Sequence, residues 1–193
     1  MGKSEKTRQF IIEQAAAIIN KKGIAGTSIT DLMEATKLAK GGIYGNFESK
    51  EEICTEVFNY LTSKVSDGLD RAAASKDTPQ EKLFAILDYY HDHLALSDMG
   101  GCPLLNFGSE ADDTNPELTA MVGNLVTKSQ RRIAKLVEEG KVSGKFKKST
   151  DAKLFAIKMF AMIEGGILTS RVTNNSRLMK SVVDMLKKEI DTM

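Results

Sequence analysis

Tryptophan is absent from this chain, and its 193 residues include only three prolines and two cysteines. Scarce proline leaves helices uninterrupted, because an interior proline deletes a backbone hydrogen bond and clashes with the preceding turn. Cys54 and Cys102 form no CxxC pair, which excludes a disulfide framework and points to a reducing, cytoplasmic setting. No apolar run approaches the ~18–20 residues of a membrane span, and the opening MGKSEK lacks the apolar stretch of a secretory signal, so no membrane partner is expected. Signatures of catalysis are missing as well: there is no phosphate loop, no HExxH and no nucleophile elbow. The adjacent acids Asp112-Asp113 and Glu138-Glu139 read as solvated surface. His91 and His93 point to different sides of a helix and have no cysteine or acidic cluster beside them, so no metal is expected. The chain reads as a soluble protein that is not an enzyme and carries no cofactor.

What is abundant favours helix. Ala, Leu, Lys, Glu, Ile and Met dominate, a balance that ranks helix above strand. Nine stretches place apolar residues at helical spacing, so the expected fold class is all-α with nine helices. The first helix runs from about Glu5 to Lys22 and ends at Gly23, a C′ residue. Ser28 with Asp31 opens the second as a capping box, and Ala39 to Tyr44 forms a brief third. Ser49 with Glu52 makes a further capping box, and the helix it opens reaches about Ala74, long enough to connect a head to a body. A fifth helix spans Pro79 to about Leu96, a sixth Leu104 to Glu110, and a seventh Pro116 to Glu139, followed by a basic loop from Gly140 to Lys148. The eighth, Thr150 to Val172, is apolar almost all round, so one face should meet its own core and another a partner subunit. The ninth, Ser176 to about Ile190, carries one clean apolar stripe.

Charge divides the chain unevenly. Up to Lys50 there are eight basic and five acidic residues, whereas the whole chain is nearly neutral at +1. A basic head on a faintly acidic body suits a DNA-reading module joined to something that does not touch DNA. Three helices in the first ~50 residues, with a tight turn between the second and third, have the layout of a helix-turn-helix. Gly41-Gly42 costs ~1 kcal/mol per glycine in a helix. Close approach of a bare helix to bases and phosphates gives the pair a reason, with Lys40 and Tyr44 reaching outward. Thr27-Ser28 and Lys50 at helix starts are ready phosphate sites.

The segments TSITDLMEA from Thr27, LAKGGIYGNF from Leu38 and SKEEI from Ser49 resemble the head of TetR-family transcriptional regulators. The resemblance covers about Thr7 to Leu61. It implies phosphate contacts from Thr27, Lys40, Tyr44 and Lys50, base-edge or close-approach roles for Ala39, Gly42 and Asn46, and a structural plug in Phe47. Lys37 stands where the family usually has glycine, so a non-glycine residue must take a left-handed conformation. The expected DNA-binding set is Thr27, Ser28, Lys37, Ala39, Lys40, Gly41, Gly42, Tyr44, Asn46 and Lys50, in a domain of residues 1–48.

Residues 49–193 would then form a ligand-binding and dimerisation domain. The resemblance implies an Ω-shaped homodimer on a palindromic operator in double-stranded DNA, acting as a repressor that a small lipophilic effector releases. An activator, or a DNA-associated factor without a regulatory role, would use the same head, and a helical small-molecule-binding protein would not need it. Effector contacts are expected from Leu61, Tyr90, His93, Cys102, Asn106, Phe107, Leu125, Phe155, Met159 and Met162, although methionine and phenylalanine at helical spacing equally fill a core. Cys102, between Gly101 and Pro103, stands in a turn where an accessible thiol would sense oxidants or electrophiles, yet no Lys or Arg nearby in sequence would lower its pKa. The dimer interface is expected from Phe160, Ile163, Gly165, Gly166, Ile167, Leu178, Val182 and Leu186.

Overall fold

A computed structural model describes residues 2–193, and among them every regular element is helical. The elements are α1 (Lys3–Gly26), α2 (Ile29–Thr36), α3 (Lys40–Tyr44), α4 (Lys50–Ala74), α5 (Pro79–Tyr90), α6 (Pro103–Ala111), α7 (Pro116–Val142), α8 (Ala152–Val172) and α9 (Ser176–Thr192). A π turn, His91–Ala95, follows α5. The chain divides into two compact units. One runs to Val65 and takes back Asp98–Ala120; the other holds Ser66–Ser97 and Met121–Met193. Helix α4 thus gives residues 50–65 to the first unit and 66–74 to the second. No helix of the described residues is long and apolar enough to cross a membrane.

In the first unit α1 packs on α2 and α6. Ile11, Ala15 and Ile19 of α1, Leu32 of α2, Ile43 of α3 and Ile53 and Val57 of α4 are all buried. Phe58 and Phe107 meet with ring centroids 5.2 Å apart. Each large side chain so buried contributes about 1.5–3 kcal/mol. Helix α1 does not stop at Lys22. It continues to Gly26 across a break at Gly23, whose φ of 78° and ψ of 173° interrupt the helical ladder. Ser28 and Asp31 form the expected reciprocal cap of α2: Asp31 N–H donates to Ser28 Oγ at 3.1 Å, and Ser28 N–H to Asp31 Oδ2 at 2.8 Å. The cap of α4 differs from its expectation. Glu52 N–H donates to Ser49 Oγ at 3.1 Å, but the Glu52 carboxylate accepts from Glu48 N–H at 2.6 Å, one residue earlier than a reciprocal box requires.

In the second unit α8 and α9 form the main helix pair, with α5 beside them. The fifth helix was expected to stay regular to Leu96. Instead the Leu96 N–H reaches back five residues to His91 O at 3.3 Å. The widened turn buries Leu94 and Ala95 and leaves Asp92 and His93 exposed. Helix α7 also outruns its expected end at Glu139. Gly140 lies inside the helix and must be glycine there, because the Phe146 ring occupies its side-chain space, 2.0 Å from where a Cβ would stand. The chain turns at Gly144, φ 73°, where Gly144 N–H donates to Lys141 O at 3.2 Å and Lys145 N–H to Gly140 O at 2.8 Å. That pairing is a Schellman motif, and Phe146 supplies its apolar contact.

Candidate nucleic-acid interface

Helix α2 ends where Thr36 is buried and its hydroxyl works twice: it donates to Leu32 O at 2.7 Å and accepts from Leu38 N–H at 3.3 Å. Between those bonds Lys37 adopts φ 58° and ψ 23°, the left-handed conformation that its place in the turn demanded. Ala39 is the extended N-cap of α3, and its methyl leaves the first amides of that helix without a side-chain cap.

Over its five residues α3 buries only Ile43, which anchors it, while Lys40, Gly41, Gly42 and Tyr44 are exposed. A Cβ at Gly41 would meet nothing within 4 Å, and one at Gly42 would touch only the Leu38 side chain, at 3.5 Å. The interior therefore makes no demand for either glycine. What the pair provides is a bare outer surface, flanked by two long polar side chains. The Lys40 ammonium lies 5.8 Å from the centre of the Tyr44 ring, so cation and phenol share one side of the helix.

The remaining residues of the predicted set are held more firmly. Asn46 Nδ2 donates to Gly42 O at 2.8 Å, and its Oδ1 accepts from Ser4 Oγ at 3.2 Å. Thr27 is buried, and its hydroxyl donates to Gly23 O at 2.7 Å. Lys50 turns inward: its ammonium donates to Ile24 O at 2.7 Å and Thr27 O at 2.9 Å. Ser28 is exposed at the start of α2, with its hydroxyl committed to Asp31. The structure thus brings Lys37, Ala39, Lys40, Gly41, Gly42 and Tyr44 to the surface, and uses Thr27, Asn46 and Lys50 to brace it from behind.

Arg8 was missed by the sequence reading. Its guanidinium lies 4.2 Å from the centre of the buried Phe47 ring and donates to Asn46 O at 2.7 Å, Glu52 at 2.7 Å and Glu56 at 2.9 Å. One arginine therefore joins α1, the end of α3 and the start of α4. Its partners lie 38 to 48 residues away, and nothing local in the sequence announces them.

The expected effector residues fall into both units. Leu61, Cys102, Asn106 and Phe107 belong to the first, and Tyr90, His93, Leu125, Phe155, Met159 and Met162 to the second. Three of them need correction. Asn106 is spent on structure, its amide donating to Asn20 O at 2.9 Å, Asn20 Oδ1 at 3.1 Å and Gly100 O at 2.9 Å. His93 is exposed and stacks on Tyr89 at 4.7 Å, because the π turn rotates it outward. Cys102 is not an accessible thiol: it is buried at the head of α6. Tyr90, Phe155 and Met159 are buried within the second unit.

The dimer set divides similarly. Phe160, Ile163, Gly166, Ile167 and Leu186 are buried within the chain itself. A Cβ at Gly166 would stand 2.8 Å from Met179 Sδ and 3.2 Å from Val182 Cγ2, so this glycine lets α9 approach α8 in the same subunit. Gly165, with nothing within 4 Å of its Cβ position, and Leu178 face outward, and Val182 is half-buried. The large exposed apolar residues of α8 are others: Leu154 (63%), Ile157 (51%), Leu168 (47%) and Val172 (77%).

Two family models match the chain: "Bacterial regulatory proteins, tetR family" over residues 11–57, and "Tetracyclin repressor-like, C-terminal domain" over residues 79–186. The chain belongs to the TetR family. The crystal structure of a TetR-family transcriptional regulator from Cytophaga hutchinsonii superposes with a TM-score of 0.91 at 38% identity, covering 98% of this chain and 96% of that one. A TetR transcriptional regulator from Chloroflexus aurantiacus gives 0.93 at 34% identity over the same shares. An uncharacterized HTH-type transcriptional regulator in the lacX 3' region of Lactococcus lactis is 28% identical over 96% of this chain and 93% of its own length. This TetR-family chain is a DNA-binding transcriptional regulator and not an enzyme. Family members bind DNA operators and effectors and dimerise.

Proposed function

We propose that this TetR-family protein is a homodimeric repressor that occupies a palindromic operator and leaves it when a small lipophilic effector binds. Residues 1–48 are the DNA-contacting domain, and residues 49–193 bind effector and partner subunit. The observation that carries the reading is the bare outer face of α3, two glycines that the interior does not require between Lys40 and Tyr44. In the major groove that face lets the helix backbone lie against base edges while Lys40, Tyr44 and Lys37 reach phosphates. Asn46 and Lys50, tied to carbonyl groups behind the surface, act by holding α3 and the start of α4 in place. The two half-sites lie about one helical turn, ~34 Å, apart. The effector binds the conformation that does not fit this spacing more tightly than the one that does, as linkage requires. Release and repression occur in the cytoplasm, with the DNA.

The test is a mobility-shift titration of a duplex from upstream of the protein's own gene. Lys40→Ala and Tyr44→Ala should weaken binding, and Lys40→Ala should reduce the salt slope by about 0.9, one phosphate's worth. Unchanged affinity in both variants would remove the assigned surface. A screen of lipophilic compounds for release of that duplex addresses the effector, and a compound that tightened binding would argue against induction.

A further inference from the structure

Gly23 ends the first stretch of α1 with φ 78° and ψ 173°, which turns the next two amides away from the helix's own carbonyls. Both amides donate to Glu110, on α6: Ile24 N–H to Oε2 at 2.6 Å and Ala25 N–H to Oε1 at 2.5 Å. The carboxylate fills the space where Gly23 has no side chain, since a Cβ there would stand 2.7 Å from Oε2. The same segment is held from its other side by Lys50, whose ammonium takes the carbonyls of Ile24 and Thr27. A carboxylate thus accepts from the N–H groups and an ammonium donates to the C=O groups of one short stretch, which leads directly into the N-cap Ser28 of α2. One turn earlier on α6, Asn106 is bonded to Asn20 of α1, and Asn20 Nδ2 donates to Met99 O at 2.7 Å and Gly101 O at 3.2 Å.

We infer that Glu110 is a positioning residue for DNA binding: from α6 it fixes the angle at which the α2–α3 reading unit leaves α1. The DNA-contacting domain is then completed by a helix that lies far outside it in sequence. This inference rests on the DNA-binding reading above. Its effect is opposite in sign to simple electrostatics. A carboxylate repels the duplex, so neutralising it should tighten binding unless its geometric role outweighs its charge.

The experiment compares full-length wild type, Glu110→Gln and Asp113→Asn on the same upstream duplex at fixed low salt, each first confirmed folded by thermal melt. Asp113 is exposed on the turn after α6, so its variant makes the same charge change without touching the clamp. Glu110→Gln keeps one acceptor and places an NH2 against an N–H. It should bind about tenfold more weakly, the scale of one lost specific contact, while Asp113→Asn binds as wild type or tighter. Hydrogen exchange at the Ile24 and Ala25 amides should accelerate in Glu110→Gln, with α8 and α9 unchanged. Glu110→Gln binding as tightly as Asp113→Asn, or melting lower with its affinity intact, would overturn the inference and leave the DNA-binding reading standing. A wild type that ignores the duplex would remove that reading, and this one with it.

Discussion

At φ 58° Lys37 occupies backbone space that costs a residue with a Cβ roughly 1–2 kcal/mol. The turn does not depend on its side chain, because Thr36 supplies the bonds that close it. Lys37→Gly should therefore raise the melting temperature by a few degrees, of order 2–4 °C per kcal/mol for a chain of this size, while weakening DNA binding by removing an exposed cation. A rise in both quantities would deny the lysine its contact. At Asp31 the Lys22 ammonium, then the Ser28 amide and hydroxyl, hold the carboxyl well below the ordinary 3.8. A depressed acid stabilises the fold above its unfolded pKa and loses that contribution as pH falls toward the folded value. Melting temperature followed from pH 5 to pH 2 should fall less steeply in Asp31→Asn than in wild type. Cys54 lies at the other extreme, its thiol pushed up to about 11 by burial first and by the Glu51 and Glu110 charges, against the opposing pull of Lys50. It should resist iodoacetamide at neutral pH in the folded protein, and fast labelling would contradict its placement.

Among the helices, α7 shows how one contact overrides propensity. Alanine normally improves on glycine in a helix by about 1 kcal/mol. At Gly140 the Phe146 ring already fills the space, so Gly140→Ala must expel the ring or bend the helix end, an overpacking penalty of about 1–3 kcal/mol. A thermal or denaturant melt should show net destabilisation, and a more stable variant would mean that the ring has room to move. Gly68 is filled in the same way, by the Tyr89 side chain, and burial raises the pKa of that phenol. The π turn after α5 is the other departure from simple periodicity. A spacing of 3.6 residues carried past Tyr90 keeps His93 close to the inward side, and one widened turn is enough to take it out.

For the whole molecule, the feature that bears on assembly is an exposed apolar stripe along α8. Leu154, Ile157, Ala161, Gly165, Leu168 and Val172 recur every three or four residues and are all exposed, and Leu178 and Met185 of α9 are exposed with them. A face of this kind is what a second copy would cover, with Gly165 allowing close approach of helix backbones. Ile157→Glu combined with Leu168→Glu should give a monomer by sedimentation while helicity is kept, because neither side chain belongs to the chain's own core. Binding of the two-half-site duplex should then fall to the level of a single half-site. A double variant that remained dimeric would place the interface elsewhere.

The head was legible because its signals are local. Ser28 with Asp31, the Gly41-Gly42 pair and the position of Lys37 each express a cap, a bare surface or a turn within a few residues, and the backbone follows such signals directly. Helix number followed from periodicity for the same reason. Periodicity could not say which apolar face of α8 turns inward, since both have helical spacing, so Phe160 and Ile163 were assigned to a partner and Leu154 and Val172 were not. Nor could it give Arg8, Asn106 or Glu110 the partners that lie 38 to 86 residues away along the chain. Those choices belong to packing. They are fixed only when distant helices meet and each buried polar group must take the nearest partner that the fold provides.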